Sequence, residues 1–285
     1  MVGRGAKGFP SAGGGTVKAA GGLGARMPTE TLAVDVTADG VATVRLDNPP
    51  VNAIDQAMRD ELADALDVLR EDRVRVGVVR GREDVFSVGA DVGLFEEAAD
   101  WTTAEFRANS RRLSRVFDGL EALEKPVIAA IEGTCVGGGL ELALACDVRI
   151  AAPDATLGFP EHNIGLIPGL GGCSRFVHLV GPGVAKDLVF RSKLVDGEMA
   201  LELGLVEHVE ADPAGAAADY AATLLDRPPQ ALGLAKRVVN AAREADLHTA
   251  GLLESLAQST LVRTEDHAEG LSAFRDKRDP EFTGR

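Results

Sequence analysis

Three consecutive glycines, Gly137-Gly138-Gly139, separate an apolar strand-like run, Val127–Ile131, from the apolar segment Leu140–Cys146. A strand-to-helix turn built of glycines presents backbone N–H groups at a helix N-terminus, where the macrodipole favours negative charge. Three readings fit: close helix–strand packing, a phosphate site, or an oxyanion hole. The phosphate readings fail in detail. Gly133-x4-Gly138 is followed by Gly139 rather than Lys-Ser/Thr, and no third glycine completes a dinucleotide fingerprint after Gly137-x-Gly139. Packing and an oxyanion hole both stay open.

Glu141 lies two residues past the triplet, in the first turn of a segment that is otherwise apolar on every side (Leu140, Leu142, Ala143, Leu144, Ala145). Burial there raises a carboxyl pKa and a helix N-terminus lowers it, so such a glutamate needs a partner or a task. Glu161 follows Phe159-Pro160 and precedes a second glycine-rich turn, Pro168-Gly169-Leu170-Gly171-Gly172. Two carboxyls on facing loops suit acid–base chemistry, one accepting a proton while the other gives one. The spacing alone does not bring them together, and the reaction class stays undecided at this point. His162 borders Glu161. Ser87 and Cys135 sit in glycine-bearing loops without a nucleophile-elbow context.

The surrounding chain reads as α/β. Thr31–Thr37 and Val41–Leu46 alternate around Ala38-Asp39-Gly40 as a hairpin. Asp55 caps a helix carrying Met58, Leu62, Ala65, Leu66 and Leu69. Val76–Arg80 is a short strand, and Gly81–Asp91 is a loop whose Asp91 caps the next helix. A further helix spans 103–123. Beyond the central stretch, helices are expected near 183–191, 196–203, 213–226, 229–243, 246–262 and 264–276, with a strand at Leu205–Val209.

The net charge of −14 opposes binding to phosphate backbones, so no nucleic-acid partner is expected. No apolar run approaches the roughly 18 residues of a membrane span. The three cysteines, Cys135, Cys146 and Cys173, read as free thiols of a cytoplasmic protein. Residues 1–28 hold nine glycines and no acid, and are expected to be a disordered, dispensable extension, with Met27 an alternative start.

Several motifs in order resemble the enoyl-CoA hydratase/isomerase (crotonase) superfamily. They are Phe86-Ser87-Val88-Gly89-Ala90-Asp91, Lys125-Pro126-Val127-Ile128-Ala129-Ala130, Gly137-Gly138-Gly139-Leu140-Glu141-Leu142-Ala143, Cys146-Asp147, Phe159-Pro160-Glu161, and Ile164 through Gly172. The resemblance runs from about Thr31 to Phe282. It implies a crotonase-like spiral of ββα units, with an α/β core over 29–210 and a helical region over 211–285 that covers the site and makes the contacts of a homotrimer or dimer of trimers. The implied ligand is an acyl-CoA thioester, with no cofactor beyond the CoA carried by the substrate and no metal.

By the same resemblance the amides of Ala90 and Gly138 form the oxyanion hole. Glu141 acts as base and water-positioning group and Glu161 as proton donor. Val88, Gly89, Asp91, Gly169, Phe274 and Lys277 contact substrate or CoA. Both acids together favour hydration of a trans-2-enoyl-CoA over double-bond isomerisation or silent acyl-CoA binding. One departure concerns charge: a lysine often follows the Gly-Ala-Asp motif by two residues, where this chain has Gly93, which shifts phosphate binding onto Lys277 and Arg278. Phe95 and the Trp101–Phe117 segment are expected to shape the acyl pocket.

Overall fold

The computed structural model describes residues 27–28 and 30–285, so the extension expected over 1–28 lies outside the described residues apart from Met27–Pro28. Those two form β1, antiparallel to β2 (Leu32–Val36), which returns as β3 (Val41–Leu46) in the hairpin that the alternation predicts. β4 (Ala53–Ile54) and α1 (Gln56–Arg70) follow. Asp55 caps α1 by accepting from Met58 N at 2.8 Å, and Met58, Leu62, Ala65, Leu66 and Leu69 turn into the core.

The chain then repeats one pattern. β5 (Val76–Arg80) leads through β6 (Val85–Ser87) and β7 (Gly89–Ala90) to α2 (Val92–Ala98) and α3 (Thr103–Ala122). β8 (Val127–Ile131) leads through β9 (Thr134–Val136) to α4 (Gly138–Leu144). β10 (Val148–Ala151) leads through β11 (Thr156–Gly158) to a 3-10 turn at Glu161–Ile164. Each pass gives its first strand to a large sheet and its second to a small parallel sheet, ordered β11-β9-β6. The large sheet runs β1-β2-β3-β5-β8-β10 and ends on β12 (His208–Val209), parallel from β3 onward. This is the spiral of ββα units. The short strands β6, β7 and β9 are not expected from the sequence because two or three residues are too few to display a period.

β5 and β8 are buried on both faces, as a parallel sheet covered on two sides requires. Val76, Val78, Ile128, Ala130 and Ile150 pack against Ala217 and Ala221 of a later helix, while Val79, Val127, Ala129 and Ile131 face the main core.

Past the 3-10 turn lie α5 (Gly172–Phe190), α6 (Gly197–Glu202), α7 (Pro213–Leu225), α8 (Pro229–Ala242), α9 (Leu247–Leu261) and α10 (Glu265–Asp276). Two expectations need correction. The helix expected from 183 is only the second half of α5, which begins at Gly172 and kinks where Gly181 leaves helical geometry ahead of Pro182. The strand expected over Leu205–Val209 pairs only at His208–Val209, because Leu205 and Val206 are turned into the core beside α6.

α7 covers the sheet, and α8 is held by one buried cation. Lys236 Nζ reaches Asp147 Oδ2 at 2.8 Å, Leu120 O at 2.9 Å and Lys125 O at 3.1 Å. Asp147 Oδ2 also accepts from Val127 N at 2.7 Å, so the first residue of β8 and α8 share one carboxylate. Removing one partner of a buried pair leaves an uncompensated charge. Lys236→Met is expected to lower unfolding free energy by about 3 kcal/mol or more, read from urea melts.

Candidate active site

One cavity of about 440 Å³ gathers most of the residues singled out by sequence. Its walls come from β7, α2, α3, the start of α4, the 3-10 turn and the loop ahead of α5, and its lining includes Val88, Ala90, Gly138, Glu141, Glu161 and Gly169. Phe95 and, from α3, Phe106, Asn109, Ser110 and Leu113 close one side, so the expected segment does shape the pocket. Trp101 stands behind Phe106, ring centroids 6.5 Å apart, and does not line it. The size and largely apolar lining suit an organic ligand.

The glycines divide their work. Gly139 serves packing: a Cβ there would lie 2.4 Å from Ser87 O. Gly138 opens α4 beside β7, and a Cβ built on it would stand 3.4 Å from Ala90 N, so the two residues abut at the cavity wall. Gly89 permits this approach, with φ of 87° and room for no side chain, since a Cβ would meet Gly138 N at 2.5 Å. Ser87 is a brace, not a nucleophile. Its buried hydroxyl donates to Asn52 O at 2.6 Å and accepts from Gly89 N at 3.1 Å, while Asn52 Nδ2 donates to the carbonyls of Leu46, Val85 and Phe86. Burial pushes the Cys135 thiol up and the Cys146 thiol to about 12, so neither is poised as a thiolate.

Glu141 is 2% exposed. Burial raises its pKa, opposed by the amides of Leu170 and Gly172, which donate to Oε1 at 2.6 and 2.8 Å, and by Arg175. Gly172 is the first residue of α5, so the helix start that favours the carboxylate includes that of α5 as well as its own. Arg175 holds the donor loop in place: Nη1 donates to Leu170 O at 3.1 Å, and the same guanidinium reaches Asp118 and Glu121 of α3 at 2.7 and 2.9 Å. Sequence reading missed Arg175 because the start of α5 was hidden in a glycine-rich turn.

Glu161 has the opposite surroundings. Its Oε2 is buried without a hydrogen-bond partner, and its Oε1 lies 3.1 Å from where a Cβ on Gly137 would be. Burial and, in a lesser part, the charge of Glu141 push it up to about 7, against its own backbone N–H. One glutamate is supplied with donors and the other is not, in a single cavity. The pair can hold one negative charge and one proton together at neutral pH.

Other expected residues stand elsewhere. Asp91 caps α2, accepting from Gly93 N at 2.8 Å, and Gly89 lies beneath the lining. His162 is exposed against Phe190. Phe274 is 84% exposed and borders a separate groove with Leu261, Gly270 and Phe282. Lys277 is the exposed cap of α10, and Arg278 is engaged by Glu269 at 2.5 and 2.8 Å. The chain's own fold does not bring Phe274 or Lys277 to the cavity. Among the described residues no helix is long and apolar enough to cross a membrane.

The raised Glu161 pKa has a stability consequence. Between the ordinary 4.5 and about 7 the folded state binds more protons than the unfolded one, so this carboxyl makes stability fall as pH rises through that window. Glu161→Gln is expected to flatten the fall, measured as urea midpoints at pH 5 and pH 7.5.

The sequence profile described as Enoyl-CoA hydratase/isomerase matches residues 36–285. The Bacillus subtilis protein named "Probable enoyl-CoA hydratase" is 36% identical over 262 residues, 90% of this chain and 100% of its own length. The mouse mitochondrial methylglutaconyl-CoA hydratase is 36% identical over 241 residues, 82% of this chain and 76% of its own. A crystal structure of an enoyl-CoA hydratase from Bacillus anthracis superposes with a TM-score of 0.84 at 34% identity, covering 90% of this chain and 100% of that one.

Proposed function

Because the chain belongs to the enoyl-CoA hydratase/isomerase family, we propose that it hydrates trans-2-enoyl-CoA thioesters reversibly to 3-hydroxyacyl-CoA. The observation that carries the reading is the unequal pair: Glu141, given two amides, and Glu161, given none from another residue, facing one cavity beside the amides of Ala90 and Gly138.

The chemistry follows from that inequality. The thioester carbonyl accepts from the Ala90 and Gly138 amides, which draw electrons from the conjugated double bond. Ionised Glu141 removes a proton from water as its oxygen bonds to Cβ. The π electrons move toward the carbonyl, giving an enolate whose oxygen the two amides hold. Glu161 gives its proton to Cα, and the carbonyl re-forms. Protons then exchange to restore Glu141 as carboxylate and Glu161 as acid. Each oxyanion donor contributes about 3 kcal/mol to the transition state. The loss of a proton-handling group costs roughly 10²–10⁴-fold in rate.

Phe274 and Lys277, away from their own chain's cavity, are assigned to the CoA of a neighbouring copy in a homo-oligomer. An acyl-CoA ligand carries its own CoA, and this mechanism uses no other group.

Loss of crotonyl-CoA absorbance tests the reading. Wild type is expected to turn over, with Glu141→Gln and Glu161→Gln each slower by roughly 10²-fold or more. Full activity in either variant contradicts the assignment. Conversion of a 3-enoyl-CoA to its conjugated isomer, without hydration of crotonyl-CoA, points instead to an isomerase.

A further inference from the structure

Arg59, in the first turn of α1, is a buried cation with an open set of donors. It is 8% exposed, its Nε has no hydrogen-bond partner, and it lines the cavity that holds Glu141 and Glu161. Among the described residues no carboxylate lies within salt-bridge distance of its guanidinium. The acids nearest in sequence are engaged elsewhere. Asp55 caps α1 and accepts from Asn48 Nδ2 at 3.0 Å, and Asp60 accepts from Gln56 and from Arg112 at 3.2 Å.

The other buried cations differ. Arg149 pairs with Glu207 at 2.5 Å, Arg175 with Asp118 and Glu121, and Lys236 with Asp147 at 2.8 Å. Each has a carboxylate. A buried charge without one is costly: burial lowers the Arg59 pKa, opposed in lesser part by the charges of Asp55 and Asp60 beyond salt-bridge distance, yet arginine remains protonated at any ordinary pH. Such a group is suited to an anion that arrives with the ligand. Guanidinium and carboxylate match as a two-pronged pair, strongest out of water.

Its neighbours narrow the choice. Asn109, Ser110 and Leu113 of α3 share the lining with Arg59, and Asn109 and Leu113 also share with it a smaller hollow of about 170 Å³ on its other side. Arg59 is thus a partition between the reaction cavity and the outer cleft of α1 and α3. With the thioester carbonyl at Ala90 and Gly138, and the reacting carbons at the two glutamates, the distal end of the acyl chain is left the α1–α3 wall or the wall of Ile164, Leu166 and Ile167, and of these two the α1–α3 wall carries the cation.

Resting on the acyl-CoA reading above, we propose that the cavity selects acyl-CoA thioesters whose acyl chain ends in a carboxylate, and that Arg59 binds that carboxylate. A neutral tail of equal length leaves the guanidinium desolvated and unpaired, so discrimination arises from a penalty on the wrong ligand as well as a contact to the right one.

The test uses saturated thioesters, which bind without reacting. Dissociation constants are measured by calorimetry for glutaryl-CoA and pentanoyl-CoA, and for adipyl-CoA and hexanoyl-CoA one carbon longer, with wild type, Arg59→Lys and Arg59→Met. Wild type is expected to prefer the carboxylated member of at least one pair by about ten-fold or more, Arg59→Lys to keep part of that preference, and Arg59→Met to lose it. Equal affinity within both pairs for wild type overturns the proposal, and that result needs no variant to fold. Equal weakening of charged and neutral members in Arg59→Met also overturns it, since Arg59 would then read the CoA phosphates. Hydration by wild type of crotonyl-CoA and of its carboxylated counterpart glutaconyl-CoA is scored separately. A carboxylate preference without hydration upholds this ligand class and removes the hydratase reading, whereas hydration without preference does the reverse.

Discussion

A carboxylate taken out of water must be given donors in place of the water it loses, and Glu141 shows how this fold does so. Two amides from the loop ahead of α5 and its first residue, Leu170 N at 2.6 Å and Gly172 N at 2.8 Å, close on one oxygen. Those amides are themselves fixed, because Arg175, one turn further along α5, bonds back to Leu170 O. Its remaining donors reach Asp118 and Glu121 on α3, and Glu121 in turn accepts from Arg243, the residue just past α8, at 2.6 Å. The cavity wall, Glu141 and the C-terminal helices are therefore joined through one series of hydrogen bonds and ion pairs. Disturbing the loop ahead of α5 would expose a buried charge to an apolar cavity, which few proteins tolerate without loss of stability.

The contrast with Glu161 gives the site its chemical direction. Both carboxyls are shielded, yet only one receives amide donors from other residues, so the same environment separates their tendencies to ionise. Proximity reinforces the difference, since the charge on Glu141 disfavours a second charge on Glu161. The glycine triplet contributes at three separate points: a turn at Gly137, an amide at Gly138 and a close backbone approach at Gly139. Substituting any one would therefore disturb a different property. Arg59, with no carboxylate at salt-bridge distance among the described residues, adds a cation to the α1–α3 wall of a largely apolar cavity.

Much of this was legible in the sequence where the physics is local. Asp55 and Asp91 were readable as caps because capping depends on residues two or three positions away, and both bonds are present. The hairpin of β2 and β3 and the buried character of Glu141 followed from alternation and from an apolar run. What stayed hidden depends on long-range contacts. The ββα alternation rests on strands of two or three residues that only exist because a neighbour pairs with them. The first half of α5 begins in glycines that read as a turn. Arg59 reads as the polar member of an amphipathic helix, and only the packing of α1 on α3 turns it inward. The bracing role of Ser87 and Asn52 gave no signal, as it lies in a bond between residues 35 positions apart along the chain.

The central claim is that the two glutamates divide a charge and a proton, Glu141 holding the charge. Carbon-13 NMR of the protein labelled at the glutamate side-chain carboxyls reads this directly, with Glu141→Gln and Glu161→Gln identifying the two signals. The account predicts that the Glu161 signal titrates near 7 and that the Glu141 signal titrates below it. A Glu161 midpoint in the ordinary range near 4.5, or the opposite order of the two, would contradict it.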